Sequence, residues 1–167
     1  GYGAWLTHNR GTVDAPWSQG NADAKSVVLD NLHVKYNSHF LGHKGNEGGE
    51  WVQSSGVMLV GENHVLKNSI ISYSAGNGVS LFGLNHEVSN CIIHDVNYTG
   101  TLTSGIYVAG SMSNAPGEKI MPTDISIHHN TLIAAGWGLI DATNIFSSSP
   151  LNPSRIYNNF LDAPGML

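Results

Sequence analysis

Charge is what this sequence has least of. Asp, Glu, Lys and Arg make up 11% of its 167 residues, against roughly a quarter in an average soluble domain. The basic share is smaller still: seven Lys and Arg stand against twelve Asp and Glu, a net charge of -5. That balance argues against a nucleic-acid surface, which needs clustered cations for the phosphates. Cysteine is nearly absent. Cys91 is alone, so there is no internal disulfide and no cysteine-based zinc centre. It precedes Ile92-Ile93 and reads as a packed thiol in a buried strand. No apolar run reaches the length of a membrane-spanning helix, and no membrane partner is expected. The Glu, Lys, Ala and Leu mix of a coiled coil or helical bundle is also missing. The chain opens at Gly1 with neither Met nor signal peptide. It is expected to be a mature protein or a piece of a longer chain, with further β-helix coils or domains of a parent chain as partners.

What is abundant is Gly, 20 residues, together with Asn, Ser and a 41% hydrophobic share. A chain this apolar can build a core, and this size suits one domain. Many turns and many β-formers point to an all-β protein. Internal repeats give it form. An Asn followed by a short apolar run recurs as Asn31-Leu-His-Val34, Asn68-Ser-Ile-Ile71, Asn90-Cys-Ile-Ile93, Asn130-Thr-Leu-Ile133 and Asn159-Phe-Leu161. A Gly-led strand recurs as Gly56-Val-Met-Leu-Val-Gly61, Gly78-Val-Ser-Leu-Phe-Gly83, Gly105-Ile-Tyr-Val-Ala-Gly110 and, more loosely, Gly138-Leu-Ile-Asp-Ala142. The two motifs alternate. From 31 to 68, 90, 130 and 159 the intervals are 37, 22, 40 and 29 residues. The shortest is the bare unit and the others carry insertions.

A unit of about 22 residues with three short strands is one coil of a parallel β-solenoid. Each coil stacks on the last at about 4.8 Å. Asn suits the tight turn, because it tolerates the left-handed conformation, and stacked Asn side chains can bond one another as a ladder. An antiparallel sandwich also repeats strands every 8 to 12 residues. It would need hairpin dipeptides, and few are well placed. The expected fold is therefore an all-β parallel β-helix of about five coils over residues 26–167. Residues 1–25 form a partial coil or a covering segment. Two open ends without a capping helix predict a broad melt for the isolated chain.

The segments His64-Val-Leu-Lys-Asn68-Ser-Ile-Ile71 with Gly78-Val-Ser-Leu81, and His86-Glu-Val-Ser-Asn90-Cys-Ile-Ile-His-Asp95 with Gly105-Ile-Tyr-Val108, carry a resemblance. The pattern resembles the right-handed parallel β-helix of the pectin-lyase-like superfamily over residues 26–163. That resemblance implies a carbohydrate-active, secreted, periplasmic or cell-surface protein, with a saccharide groove over the Gly-led sheet. It implies fold more than reaction, since the superfamily holds lyases, glycosidases, epimerases, tailspikes and adhesins. The paired-Asp pattern of polygalacturonases, the Lys/Arg set of alginate and chondroitin lyases and the Asp-Pro-His motif of alginate epimerases are not visible here.

Alternation along the Gly-led strands puts Val57, Leu59, Val79, Leu81, Ile106 and Val108 inward. Met58, Ser80 and Tyr107 then stack outward as a groove floor. Long loops flank that sheet: 35–55 and 94–104 before it, 111–123 and 143–152 after it. The first carries His39, His43, Lys44, Glu47, Glu50 and Trp51. Glu47 or Glu50 would act as acid or base, with Trp51 and the basic residues binding substrate. His39, His43 and Glu47 have the spacing of one helical face, but Gly42, Gly45, Gly48 and Gly49 interrupt a helix, so no metal centre is expected. In the second loop, His94 beside Asp95, with Tyr98 three residues on, suits acid/base work. Asp95 is the strongest catalytic candidate and His94 the second. Adjacent residues face opposite ways in a strand, so both reach the groove only if the strand has ended. Asp141 would be costly in an inward row, and the register that aligns it with Tyr107 makes it a second carboxylate. His128-His129 read as a turn and its ladder neighbour. Asn97-Tyr98-Thr99 matches the N-glycosylation sequon, read as chance.

Two carboxylates and few cations favour a glycoside hydrolase acting on a plant or algal polysaccharide or oligosaccharide, without cofactor. A polysaccharide lyase needs the uronate carboxylate neutralised by Ca²⁺, Lys or Arg. A non-catalytic glycan-binding, adhesin or stalk segment is the third expectation.

Overall fold

The computed structural model describes residues 4–6, 25–36, 55–74, 76–97, 104–109, 122–133, 143–147 and 151–162. These form five rungs of three strands each. The first rung is β1 (Ala4–Leu6), β2 (Val28–Asp30) and β3 (His33–Lys35). The second is β4 (Ser55–Glu62), β5 (Val65–Lys67) and β6 (Ile70–Ser72), and the third is β7 (Asn77–Leu84), β8 (Glu87–Ser89) and β9 (Ile92–His94). The fourth is β10 (Ser104–Ala109), β11 (Ser126–His128) and β12 (Thr131–Ile133). The fifth is β13 (Thr143–Ser147), β14 (Arg155–Tyr157) and β15 (Phe160–Asp162).

Strands pair between rungs, never within one. Sheet A runs β1-β4-β7-β10-β13, sheet B β2-β5-β8-β11-β14 and sheet C β3-β6-β9-β12-β15. Every pairing in the three sheets is parallel. The chain is an all-β parallel β-helix of five coils, as the repeats imply. Alternation holds in detail: Val57, Leu59, Val79, Leu81, Ile106 and Val108 are wholly inward, meeting Leu66, Val88 and Ile127 from sheet B and Ile71, Ile93 and Leu132 from sheet C. Each such side chain contributes roughly 1.5–3 kcal/mol by leaving water.

Left-handed residues make the corners. Between sheets A and B they are Ser26, Asn63, Asn85 and Asp124, and between B and C they are Asn31, Asn68, Asn90, His129 and Asn158. A third set, Tyr36, Tyr73 and Asp95, closes sheet C. Asn and Asp dominate the first two corners because a short polar side chain lowers the cost of that conformation. The expected ladder is present. Asn90 Nδ2 donates to Asn68 Oδ1 and Asn68 Nδ2 to Asp30 Oδ1, each at 2.7 Å. A parallel rail joins Asn85 Nδ2 to Asn63 Oδ1 at 2.7 Å.

The repeat alignment needs one correction. In the fourth and fifth rungs the corner residues are His129 and Asn158, not Asn130 and Asn159. Thr131 pairs with Ile92, which sets Asn130 beside Cys91, 39 residues earlier. Asn130 and Asn159 turn into the coil instead. Asn130 Oδ1 accepts the Cys91 N–H at 2.9 Å, and Asn130 Nδ2 donates to Asn159 Oδ1 at 3.0 Å and to Val88 O at 2.9 Å. An inward Asn is tolerable because its amide is satisfied on both sides. Consecutive Asn or His-Asn residues hid the shift.

The fourth Gly-led strand also moves. The strand that pairs with β10 is β13, with Ile106 opposite Ile145 and Tyr107 opposite Phe146. Residues 143–147 are therefore strand, not loop, and Gly138–Ala142 is not the repeat of Gly105–Ala109. The β-branched and aromatic Thr143-Asn-Ile-Phe fits a pleated, half-buried surface. At the front of the chain, β1 pairs with β4, Trp5 opposite Met58, so the first segment contributes a rung strand.

The Gly that ends each long sheet A strand has a steric cause. Gly83 has φ +116°, and a Cβ there would lie 2.0 Å from the carbonyl oxygen of Gly61, its neighbour in register. Gly78, at the strand start, would bring a Cβ to 2.6 Å from Gly105 O.

The last described rung is open. Ile156 and Leu161 belong to the inward rows, paired with Ile127 and Leu132, yet they are 47% and 46% exposed. Amide exchange is expected to be slowest in β5, β6, β8 and β9 and fastest, among the paired strands described, in β14 and β15. Gly83→Ala is expected to cost about 3 kcal/mol or more in a urea titration, because the Cβ meets backbone that cannot yield.

Candidate functional site

All parallel strands of sheet C end on one edge of the coil. Their last residues form a column, Lys35, Ser72, His94, Ile133 and Asp162, in register at one residue per rung. Rungs are about 4.8 Å apart. The left-handed corner residues Tyr36, Tyr73 and Asp95 stand directly after the first three.

His94 and Asp95 meet here. The strand ends at His94, and Asp95 at φ +50° folds its carboxylate back so that Oδ2 lies 2.7 Å from His94 Nδ1. The condition set by strand alternation is thus fulfilled by one backbone angle. Both side chains are partly open to solvent. Asp95 can only accept when ionised, so His94 Nδ1 donates. The neutral ring then keeps its lone pair on Nε2, the state of a general base.

Aromatic rings extend the edge. Tyr73 meets His94 edge-on at 5.7 Å, and Tyr36 stacks on Tyr73 at 5.0 Å with planes 12° apart. Lys35 Nζ lies 5.6 Å from the centre of the Tyr36 ring. A left-handed Tyr is a strained choice for a bulky residue. Stacking between successive rungs offsets that strain at about 0.5–1.5 kcal/mol per pair. The order along the edge is ammonium, phenol, phenol, imidazole, carboxylate. The stack covers one face of each Tyr, and both side chains remain exposed.

Tyr36, Tyr73 and Asp162 are functional candidates that the sequence motifs do not single out, and Lys35, read from the sequence as a basic residue of the first long loop, ends a strand beside them. The signal was the position just before and at the corner after each Asn strand. Read down the repeats, that position collects the polar and aromatic residues.

The outward row of sheet A behaves differently. Met58, Ser80 and Tyr107 are in register, as expected, and Trp5 and Phe146 extend the row by pairing. They do not form an open floor. Met58 and Tyr107 are 2% exposed and Ser80 is wholly buried. Val60 and Phe82 in the neighbouring row are also buried. Tyr107 stacks on Phe146 at 5.7 Å, and Ser80 and Ser55 share a hydrogen bond of 2.6 Å. An outward row this apolar is more stable out of water. The place beside Tyr107 that would have made Asp141 a floor carboxylate belongs to Phe146.

Asp141, Glu47, Glu50, Trp51, Lys44, His43, His39 and Tyr98 lie outside the described residues. Among the described residues no three His, Cys, Asp or Glu side chains converge to hold a metal ion. His128 and His129 serve the ladder: His128 stacks on Tyr157 at 4.8 Å, and His129 Nε2 meets Asn158 Nδ2 at 3.3 Å. Asn97 of the sequon is fully buried, which leaves no room for a glycan in the folded chain.

Cys91 is held among the inward rows, and burial pushes its thiol up to about 11. The thiolate is the reactive species. Iodoacetamide at pH 8 is therefore expected to leave Cys91 unmodified in the folded chain and to alkylate it once urea unfolds the coil.

Comparison with known protein families, with curated proteins and with solved structures finds no match for this chain.

Proposed function

We propose that this β-helix is the catalytic domain of a secreted, polysaccharide-cleaving enzyme of the pectin-lyase-like kind. The observation that carries this reading is the His94–Asp95 pair, 2.7 Å apart, on an edge that also presents Lys35, Tyr36 and Tyr73. A carboxylate-oriented imidazole is an acid/base unit.

Within that reading the edge favours β-elimination. Removing the proton beside a uronate carboxylate needs a base, a cation to neutralise the carboxylate and an acid for the leaving oxygen. In this reading His94 is the base. Lys35 lies two rungs along the column, about 10 Å by the rung spacing, and long enough to reach inward. Tyr73 stands between them with a phenol that can protonate a leaving group. Lys35 is the cation that this column offers to the uronate carboxylate.

Hydrolysis is the second reading, and it rests on Asp162. That carboxylate ends the same column two rungs beyond His94, about 10 Å away. With Asp95 it brackets the edge near the wider spacing used by inverting glycosidases. Glu47 and Glu50 remain candidates for the same role.

Incubation with a panel of neutral and uronate-bearing glycans separates the readings. Elimination yields ultraviolet-absorbing unsaturated ends, whereas hydrolysis yields reducing ends alone. No product on any glycan would sink both and leave a glycan-binding or stalk role. His94→Ala is expected to lower kcat by about 10²–10⁴. Asp95→Asn, which preserves the left-handed corner, is expected to keep the fold and lower kcat by up to about 10⁴, because an amide there can hold the imidazole in the wrong tautomer.

A further inference from the structure

A second pair of histidines lies away from this edge, inside the coil. His64 and His86 follow the corners between sheets A and B in the second and third rungs. Both are buried, and their rings stack at 5.2 Å with planes 3° apart. The pattern of bonds repeats from one rung to the next. His64 Nε2 lies 3.1 Å from Val60 O and His86 Nε2 lies 2.9 Å from Phe82 O. On the other side of each ring, His64 Nδ1 accepts the Val27 N–H at 3.3 Å, and His86 Nδ1 accepts the His64 N–H at 3.2 Å.

This arrangement admits one protonation state. A carbonyl can only accept, so each Nε2 must carry the proton. A backbone N–H can only donate, so each Nδ1 must be bare. Protonating a ring would set an Nδ1–H against an N–H and place a buried charge beside the other imidazole. Each ring ties the carbonyl of its own long sheet A strand to the amide of the preceding rung. The rings therefore hold the point where the chain leaves sheet A, just past Gly61 and Gly83.

We propose that the His64–His86 stack is an acid-sensitive clamp, which keeps the corner between sheets A and B closed while both rings are neutral and releases it on protonation. The groups around it oppose that release only weakly. Val27 and Ile125 flank the stack in the same column. Glu62 is the carboxylate at the corner, and it is paired with Lys25 at 2.8 Å. Glu87 is engaged by Ser89 Oγ at 2.7 Å and by His128 Nε2 at 3.4 Å. Asp124 occupies the next corner and is exposed. Burial outweighs the backbone bond to Phe82 and the attraction of Glu62, and His86 is lowered from 6.5 to about 4. The folded value lies below the unfolded one. Stability is therefore full above pH 6.5 and is lost as pH falls from 6.5 towards 4.

Elsewhere the same chain meets the same need with side chains that do not titrate. Ser154 Oγ accepts the Ile125 N–H at 3.1 Å in the fifth rung, and Asn130 Oδ1 accepts the Cys91 N–H at 2.9 Å at the other corner. His86→Asn therefore keeps an acceptor for the His64 N–H and removes one titration.

The test is urea unfolding of the 167-residue chain and of His86→Asn at pH 7, 6, 5 and 4. From pH 7 to 4 the unfolding constant of the parent chain is expected to rise on the order of 100-fold more than that of the variant. Equal pH slopes would overturn the clamp. Nitrogen-15 NMR of the parent chain gives an answer even if the variant does not fold. Both rings are expected as neutral Nε2–H tautomers at pH 6, and the Val27 and His64 amides should lose exchange protection together as pH falls towards 4. An Nδ1–H tautomer, or rings that titrate near 6.5 with those amides still protected, would refute it.

Discussion

A parallel coil stands or falls on its corners. Each rung must return its backbone to within about 4.8 Å of the last, in register, three times per turn. The described corners do this with left-handed residues, and in the inner rungs a buried residue follows, as at His64, Ser69, His86, Cys91 and Ile125. Everything else follows from that geometry. Short strands of three residues suffice on two sides because the corners, not the strand lengths, fix the pairing. The side chains at the corners then lie directly above one another, so amides meet amides and rings meet rings. The cost of an unusual backbone angle is offset by contacts that exist only because the angle repeats.

Much of this was legible in the chain itself. Asn before a short apolar run, and Gly at both ends of a longer one, gave the rung, its three strands and the inward rows around Val57, Val79 and Ile106. What the letters blurred was a choice between neighbours. His129-Asn130 and Asn158-Asn159 each offer two residues able to serve a corner, and only pairing with Asn90 shows which one turns. The fourth Gly-led strand was blurred for a related reason. Gly138–Ala142 carries the motif, but Thr143–Ser147 carries the better β-formers, and the pleat chose the latter.

The candidate site was legible in part. His94 and Asp95 are named by their chemistry, and their meeting required only that the strand stop between them. The Tyr36–Tyr73 stack and the alignment of Lys35 and Asp162 with His94 have no local signature, because these residues are far apart in sequence and become neighbours through the coil. The sheet A row shows the converse. Register was readable from alternation, but exposure was not, because alternation says which face a side chain takes and nothing about what lies over it.

The column that ends sheet C also works as a ruler. Its side chains are attached at whole multiples of one rung, so any two functional groups on it begin at a multiple of about 5 Å apart, with no intermediate value. A globular active site tunes such distances continuously by shifting loops and helices. Here the choice is discrete: moving a group by one rung changes its reach by a fixed step, while changing its neighbour along the chain moves it to another face. Chemistry on this edge is therefore selected by which rung holds which residue, and the long side chains of Lys, Tyr and His supply the fine adjustment that the backbone does not.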